Sequence, residues 1–449
     1  MTTVRNRSAL TDHGNREARA DLLDVAEAAV DAVHPRRTVP AAVERDGDRL
    51  RIGDRTFDLA AVDDVYLVGA GKGSAAVAAE LAAVVGDRLT DGLVAEKAGG
   101  EADVDGLTVV GAGHPVPDET SLRAGRRVRE LADAAGPDDL VLAAVTGGAS
   151  ATLAAPAGDL SLDDLAATTD RLLNAGLPID EINAVRKHCS TIKGGRLARR
   201  VAPATLATLV VVDEPAGEPW GPTVGDDTTF ADALSVLDRH DLTDAVPAAV
   251  RRHLRRGAEG SHPETPPRTV PAGHVAVLAG PTDVVEAARD RAAELGHEPL
   301  ILSSTVEGES RTAATCLAAV AREASTHGRP VAPPCVLISG GETTVQVGPD
   351  AGEGGPNQEF ALASALALAD DPSVTTLALG TDGTDGPTDV AGGLVDHTTV
   401  SRLDAAGIDA EAHLRRHDST AALRAVDDAV VTGPTGTNVM DLRLTLVGG

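Results

Sequence analysis

Apolar positions along this chain alternate between short runs rich in Val, Leu and Ile and longer alanine-rich stretches. Short apolar runs bounded by turn residues predict buried strands, and the alanine-rich runs predict helices packed on them. The clearest strand candidates are VDDVYLVGAG (62–71), GLTVVGAGH (106–114), DLVLAAVTGG (139–148), LATLVVVDE (206–214), HVAVLAG (274–280), EPLILSS (298–304), PPCVLISGG (333–341) and VTTLALGTDG (374–383). Several end in glycine and lead into a helix-like run, the place where doubly wound sheets hold ligands. The pattern predicts an α/β fold of two domains, with a Rossmann-like parallel sheet flanked by helices in the N-terminal domain and a smaller α/β C-terminal domain. Residues 256–273, RGAEGSHPETPPRTVPAG, are crowded with Pro, Gly and charge and read as a linker. Domain boundaries of 1–255 and 274–449 follow. A helix-like run over about residues 14–34 is expected to pack on the first domain, and no internal repeat is visible.

Charge changes the picture most. There are 40 Lys plus Arg against 68 Asp plus Glu, a formal charge of -28, and only four of the cations are lysines: Lys72, Lys97, Lys187 and Lys193. Self-repulsion on that scale weakens a fold in dilute buffer, and salt at molar strength, with a Debye length of roughly 3 Å, relieves it. The balance points to a halophilic cytoplasmic protein and away from a nucleic-acid partner, which would need basic patches and stacking aromatics. Aromatic residues make up 1% of the chain. The segment MTTVRNRSALTDHG has no apolar core of a secretory leader, and no stretch nears the roughly 20 apolar residues that span a bilayer. Cys189, Cys316 and Cys335 show neither a disulfide framework nor zinc spacing.

Five glycine-rich turns could carry chemistry. In VGAGKGSAAVAAEL (68–81), Gly71, Lys72, Gly73 and Ser74 open a helix. Ser74 stands where the dinucleotide fingerprint needs glycine, and Gly73 where a Walker A loop needs a hydroxyl, so both named motifs fail. What survives is backbone that can approach a ligand, a helix N-terminus with free N–H groups, and a cation. In VTGGASATLAAP (145–156), Gly147, Gly148 and Ser150 offer a hydroxyl and N–H cradle that serves equally as a helix cap. LISGGETTVQVG (337–348) adds Glu342, and LGTDGTDGPTDVAGG (379–393) holds Asp382, Asp385 and Asp389. Those carboxylates miss the EF-hand spacing but suit Mg²⁺ held together with substrate phosphates. VTGPTGTNVMDL (431–442) offers Thr435 and Asn438 as neutral hydrogen-bonding groups. Phosphoryl transfer asks mainly for positioning and charge neutralisation, and the five turns together fit it.

In chain order, VGAGKGSA, GHPVPDETS, TGGASATLAAP, EINAVRKHCSTIKGGRLA, GPTVGDDTTF, GGETTVQVG, GGPNQEFALA, GTDGTDGPTDVAGG and TGPTGTNVMDL resemble the glycerate 2-kinase family. The resemblance runs from about residue 16 to the end. It implies an N-terminal α/β domain and a C-terminal region called MOFRL, here about 335–449. It also implies ATP-dependent phosphorylation of D-glycerate to 2-phosphoglycerate with Mg²⁺, in a cleft between domains. Lys72 takes the place of the family's glycine-loop lysine and would neutralise charge on the phosphoryl group or the substrate carboxylate. Arg186, Lys187 and Lys193 would hold anionic groups. Asp382 and Asp385 would place metal, with Asp389, or orient the substrate hydroxyl, and Glu342 and Asn357 join the binding set. Three positions depart from the family pattern: Pro356 replaces the arginine of GGRNQE, Trp220 the serine of SGPT, and Met440 the second asparagine of TNVND. Arg311 and Arg186 are the arginines that could compensate for Pro356. The alternatives are a kinase of another small sugar acid, a non-catalytic nucleotide- or metabolite-binding relative, and a hydroxypyruvate reductase. The last is a label the family has also carried. It needs a dinucleotide site, and no acidic residue at the end of a second strand is evident. Oligomeric state stays open, a homodimer among the options.

Overall fold

A computed structural model describes residues 3–214, 220–268, 273–348 and 350–448. Its contacts divide the described residues into two compact units: Thr38–Val212 with Glu218–Leu278, and Met1–Arg37 with Asp213–Gly217 and Ala279–Gly449.

The first unit opens with a small antiparallel sheet of β1 (Val43–Asp46), β2 (Arg49–Ile52) and β3 (Arg55–Asp58). Six further strands follow: β4 (Val65–Ala70), β5 (Leu89–Lys97), β6 (Thr108–Ala112), β7 (Leu140–Val145), β8 (Thr205–Val211) and β9 (His274–Ala279). They form one sheet in the order β6-β5-β4-β7-β8-β9. Pairs β5–β6, β4–β5, β4–β7 and β7–β8 are parallel. Every residue of β7 (LVLAAV) is buried, as a strand covered on both faces must be. Numbered along the chain, the order is 3-2-1-4-5-6, that of a Rossmann sheet, so its topological switch point lies between β4 and β7.

The second unit holds β10 (Glu298–Ser303), β11 (Cys335–Gly341), β12 (Val374–Gly380), β13 (Gly392–Asp396), β14 (Ala429–Val430) and β15 (Asp441–Val447), in the order β10-β11-β15-β12-β13-β14. Only β10–β11 pair in parallel; β15 runs antiparallel to β11 and β12, and β13 to β12 and β14. This sheet is therefore mixed. Because β15 is reversed, its first residue, Asp441, pairs with Gly341 at the end of β11 and with Gly380 at the end of β12. Three glycine-rich loops accordingly gather at one end of the sheet.

Two expectations about domain organisation need correction. Helix Arg16–Ala32 belongs to the second unit, where it packs on helix Pro281–Glu294 and on β15. Its Arg19 is fully buried, donating from Nε to Asp396 at 2.6 Å and from Nη1 to Asp428 at 2.9 Å. A buried cation with two carboxylates fixes the helix there, and local periodicity cannot report a partner so distant in sequence. The supposed linker also behaves otherwise. Helix Ala248–Ala258 runs into it, Thr265 is buried, and the Pro266 carbonyl accepts from Asp226 N at 2.8 Å. Residues 269–272 of that stretch lie outside the described residues.

Candidate active site

Beyond β4 the chain must turn sharply into helix Ser74–Val85, and the glycines are needed for it. Gly71 has φ 110°, and a Cβ there would stand 2.2 Å from the Thr146 carbonyl oxygen. The turn is stitched to the one after β7: Thr146 N donates to Ala70 O at 3.0 Å and Lys72 N to Gly147 O at 2.6 Å. Gly148, at φ 85°, leaves room for His114, whose ring a Cβ would meet at 2.8 Å, and for the Lys72 Cγ at 3.5 Å. Lys72, His114, Gly147 and Gly148 are thus brought together at the switch point. Ser150 follows, partly exposed, in the short helix Ala149–Thr152.

The helix N-terminus beside Lys72 is not open to a ligand. Glu96, near the end of β5 and 2% exposed, accepts from Gly73 N at 2.8 Å and Lys97 N at 3.1 Å on one oxygen, and from Ala75 N at 2.9 Å on the other. Ser74 N donates to Gly71 O and Ala76 N to Gly73 O. The free N–H groups expected there are therefore occupied by an internal carboxylate. Burial raises the Glu96 pKa, opposed by the backbone N–H groups of Ala75 and Gly73. Glu96 also corrects the reading that no acidic residue ends the second strand. It sits where a dinucleotide-binding sheet keeps its ribose-binding acid, yet both its oxygens are used.

The second unit repeats this device. Asp385 accepts from Asn357 N at 3.0 Å and Asn357 Nδ2 at 3.1 Å on one oxygen, and from Gln358 N at 2.8 Å and Gln358 Nε2 at 3.1 Å on the other. It caps helix Pro356–Ala367. Burial, then the neighbouring Asp441, pushes its pKa up to about 7. Asn357 also donates to Asp441 at 2.8 Å, and Asp441 accepts from Arg443 Nη2 at 2.6 Å. Arg443 is 2% exposed and lies over the Phe360 ring. Sequence reasoning missed Asp441 and Arg443, whose position beside the glycine turns depends on the reversed β15.

Asp382, Asp385 and Asp389 do not converge. Asp382 accepts from Thr384 N at 2.9 Å, Asp385 is a buried cap, and Asp389 is exposed and paired with Arg424. Among the described residues no group of three His, Cys, Asp or Glu side chains could hold a metal ion. Thr435 donates to Thr381 O and Asn438 to Asp213 at 3.0 Å, while Glu342 is exposed. Asn357, expected to bind a ligand, bridges two buried carboxylates instead.

The cations of EINAVRKHCSTIKGGRLARR divide. Lys187 is paired with buried Asp226 at 2.9 Å. Burial opposes ionisation of Asp226, but hydrogen bonds from Thr228 and Lys187 outweigh it and lower its pKa. Lys193, 6% exposed, donates to the Leu153 carbonyl at 2.8 Å, and burial followed by the charge of Arg186 brings its pKa down to about 7. Burial lowers Arg186 to about 10.

Residues 21–255 match a family model described as a domain of unknown function, DUF4147, and residues 335–441 match the MOFRL family. The chain is 39% identical to the glycerate 2-kinase of Pyrococcus horikoshii, over 93% of this chain and 95% of that one. The chain belongs to the glycerate 2-kinase family. It is also 42% identical to a putative hydroxypyruvate reductase of Agrobacterium vitis, over 85% of this chain and 87% of the relative. The solved glycerate kinase of Thermotoga maritima superposes with a TM-score of 0.79 at 35% identity, covering 96% of this chain and all of that one.

The structure places each of the three departures from the family pattern. Pro356 is the first residue of its helix, where a missing N–H costs nothing, so the exchange loses the arginine's charge and leaves the helix intact. Arg311 does not restore that charge freely, since it lies 3.2 Å from Glu359 and 3.3 Å from Glu309. Trp220 packs on the core of the first sheet. Met440 has φ 68°, a left-handed conformation that asparagine tolerates better than methionine.

Proposed function

We propose that this chain transfers the γ-phosphoryl group of ATP to the 2-hydroxyl of D-glycerate. The observation that carries the reading is Lys72 at the switch point of the first sheet, on a turn tied through Gly147 to the next loop. A compact ammonium there neutralises negative charge on the group in transfer, the term on which phosphoryl transfer chiefly depends. The glycines hold the backbone close, and His114 bounds the same space.

Magnesium fits one part of the predicted carboxylate set. Mg²⁺ is commonly held by one or two carboxylates together with substrate phosphates. Asp382, partly exposed and not a helix cap, suits that role, whereas Asp385 and Asp389 are engaged elsewhere. The ion would supply charge neutralisation on the phosphates.

The reductase reading has one observation in its favour, the Rossmann strand order with an acid at the end of β5. Against it, Glu96 fills the helix N-terminus that would receive a pyrophosphate, and the third glycine is the fully buried Ser74. We read the acidic composition as adaptation to a salt-rich cytoplasm. No helix among the described residues is long and apolar enough to cross a membrane.

The test is an assay in molar KCl with ATP, Mg²⁺ and D-glycerate, following ADP and the position phosphorylated. Glycerate-dependent ADP release with phosphate on the 2-hydroxyl is expected, with heat stability that rises as KCl is added. NADH oxidation with hydroxypyruvate and no ADP release would replace the kinase reading with the reductase one.

A further inference from the structure

In a chain with 68 acids and 40 bases, cations have ample choice of partners. Lys193 feels the charge of Arg186, seven residues earlier, and neither is paired with a carboxylate among the described residues. Lys187, between them in sequence, is neutralised by Asp226, and Arg196 donates to the carbonyls of Lys187 and Pro263. Lys193 has only the Leu153 carbonyl, which leaves two of its three donors unused. Arg186, partly exposed at the last turn of helix Ile179–His188, opens the pair toward solvent.

A buried lysine beside a partly exposed arginine loses hydration and is repelled by it, so the folded protein is less stable for having the pair. An arrangement of that kind persists where a ligand supplies the missing negative charge. Its nature is narrowed by Asn183, one turn before Arg186 on the same helix face, whose Oδ1 is buried without a partner. An amide oxygen needs a donor. Ionised phosphates offer none, whereas a hydroxy acid offers a carboxylate for the cations and a hydroxyl for the amide.

We propose that Arg186 and Lys193 seat the carboxylate of the acceptor, with Asn183 accepting from one of its hydroxyl groups. The seat lies against Leu153, in the segment that runs on from Gly147 and Gly148, so it adjoins the loop that is tied to Lys72. This assignment rests on the kinase reading and divides its anions: Lys72 for the phosphoryl group, Arg186 and Lys193 for the acid. Acceptors that keep the hydroxyls but lack the carboxylate, such as glycerol, would then be poor substrates.

Lys193→Met and, at the more exposed position, Arg186→Met test it by steady-state kinetics, calorimetric binding of D-glycerate and of inorganic phosphate, and thermal unfolding, all in molar KCl. Each variant should raise the KM and Kd for D-glycerate on the order of 10- to 100-fold, the worth of a charge-assisted hydrogen bond, with the KM for ATP within about twofold. Preference for glycerate over glycerol should fall in step. Ligand-free Lys193→Met should unfold at a temperature no lower than the parent, because a buried charge beside another cation is gone. A raised KM for ATP with glycerate unaffected, or phosphate binding lost in place of glycerate binding, would assign the pair to nucleotide phosphates and overturn the proposal. A ligand-free Lys193→Met that melts well below the parent would overturn it in favour of a structural role. If the parent binds D-glycerate and the variants do not, yet no ADP appears, the seat stands and the kinase reading fails. If the parent phosphorylates glycerate and both variants keep its KM, the reverse holds.

Discussion

Glu96 and the Arg186–Lys193 pair pose the same electrostatic question and answer it in opposite ways. At the glycine turn a helix N-terminus presents several N–H groups, and a carboxylate from the adjoining strand fills them. At the second place two cations are gathered and no carboxylate meets them among the described residues, in a protein with 28 more acids than bases. The glycine turn looks like a binding site in sequence and is closed by the protein itself. The lysine-bearing turn after a helix fails to match any named nucleotide motif and keeps uncompensated charge. Local charge left without an internal partner is therefore the better guide to where a ligand belongs, since its desolvation cost is offset only when the ligand arrives.

The largest expected effect separates the side chain of the closed turn from its backbone. Lys72→Ala should lower kcat by about 100- to 1000-fold, the loss typical of removing one preorganised charge-stabilising group, while circular dichroism and the melting temperature stay close to the parent's. Near-parental turnover would remove Lys72 from the chemistry. Next, Glu96→Gln should cost about 2 kcal/mol of stability, because an amide presents N–H where buried backbone N–H groups need an acceptor; urea unfolding measures it. A Glu96 variant that gained affinity for NADH without losing stability would show the acid to be a dinucleotide reader.

Asp385 sharpens the comparison through pH. Its folded pKa of about 7 stands above the ordinary carboxylate value, so the stabilisation it contributes is complete below about pH 4 and is lost as the pH rises through 7. Asp385→Asn should flatten the fall in urea midpoint between those values, at constant KCl; an unchanged slope would mean that another group is responsible. The smallest effect is expected at Met440, where Met440→Asn should add about 0.5–1 kcal/mol by relieving a left-handed methionine. No gain in midpoint would place the cost elsewhere.

Sequence pattern located eight of the strands, since each is a short apolar run, and several, including β4, β7 and β12, have a glycine at or beyond their end. It missed β5, LTDGLVAEK, because half of that strand is polar, and with β5 it missed Glu96. It grouped Asp382, Asp385 and Asp389 by spacing, whereas the backbone turns them toward a threonine, a helix end and an arginine respectively. Which strand is antiparallel cannot be read from apolar runs, so the approach of Asp441 to Asp385 was invisible. Lysine scarcity did draw notice to Lys193, but neither its burial nor the ion pair of Lys187 with Asp226, which sets the two lysines apart, can be read from spacing.

Arg19 has a consequence for how this protein comes into being. Its carboxylate partner Asp428 lies 409 residues later. At typical rates of roughly 5–20 residues per second, helix Arg16–Ala32 waits some 20–80 seconds for that partner to leave the ribosome. The first unit, Thr38–Val212 with Glu218–Leu278, can be assembled in the meantime. Biogenesis thus leaves an early amphipathic segment without its resting place until translation is nearly over, an interval in which a chaperone has reason to hold it.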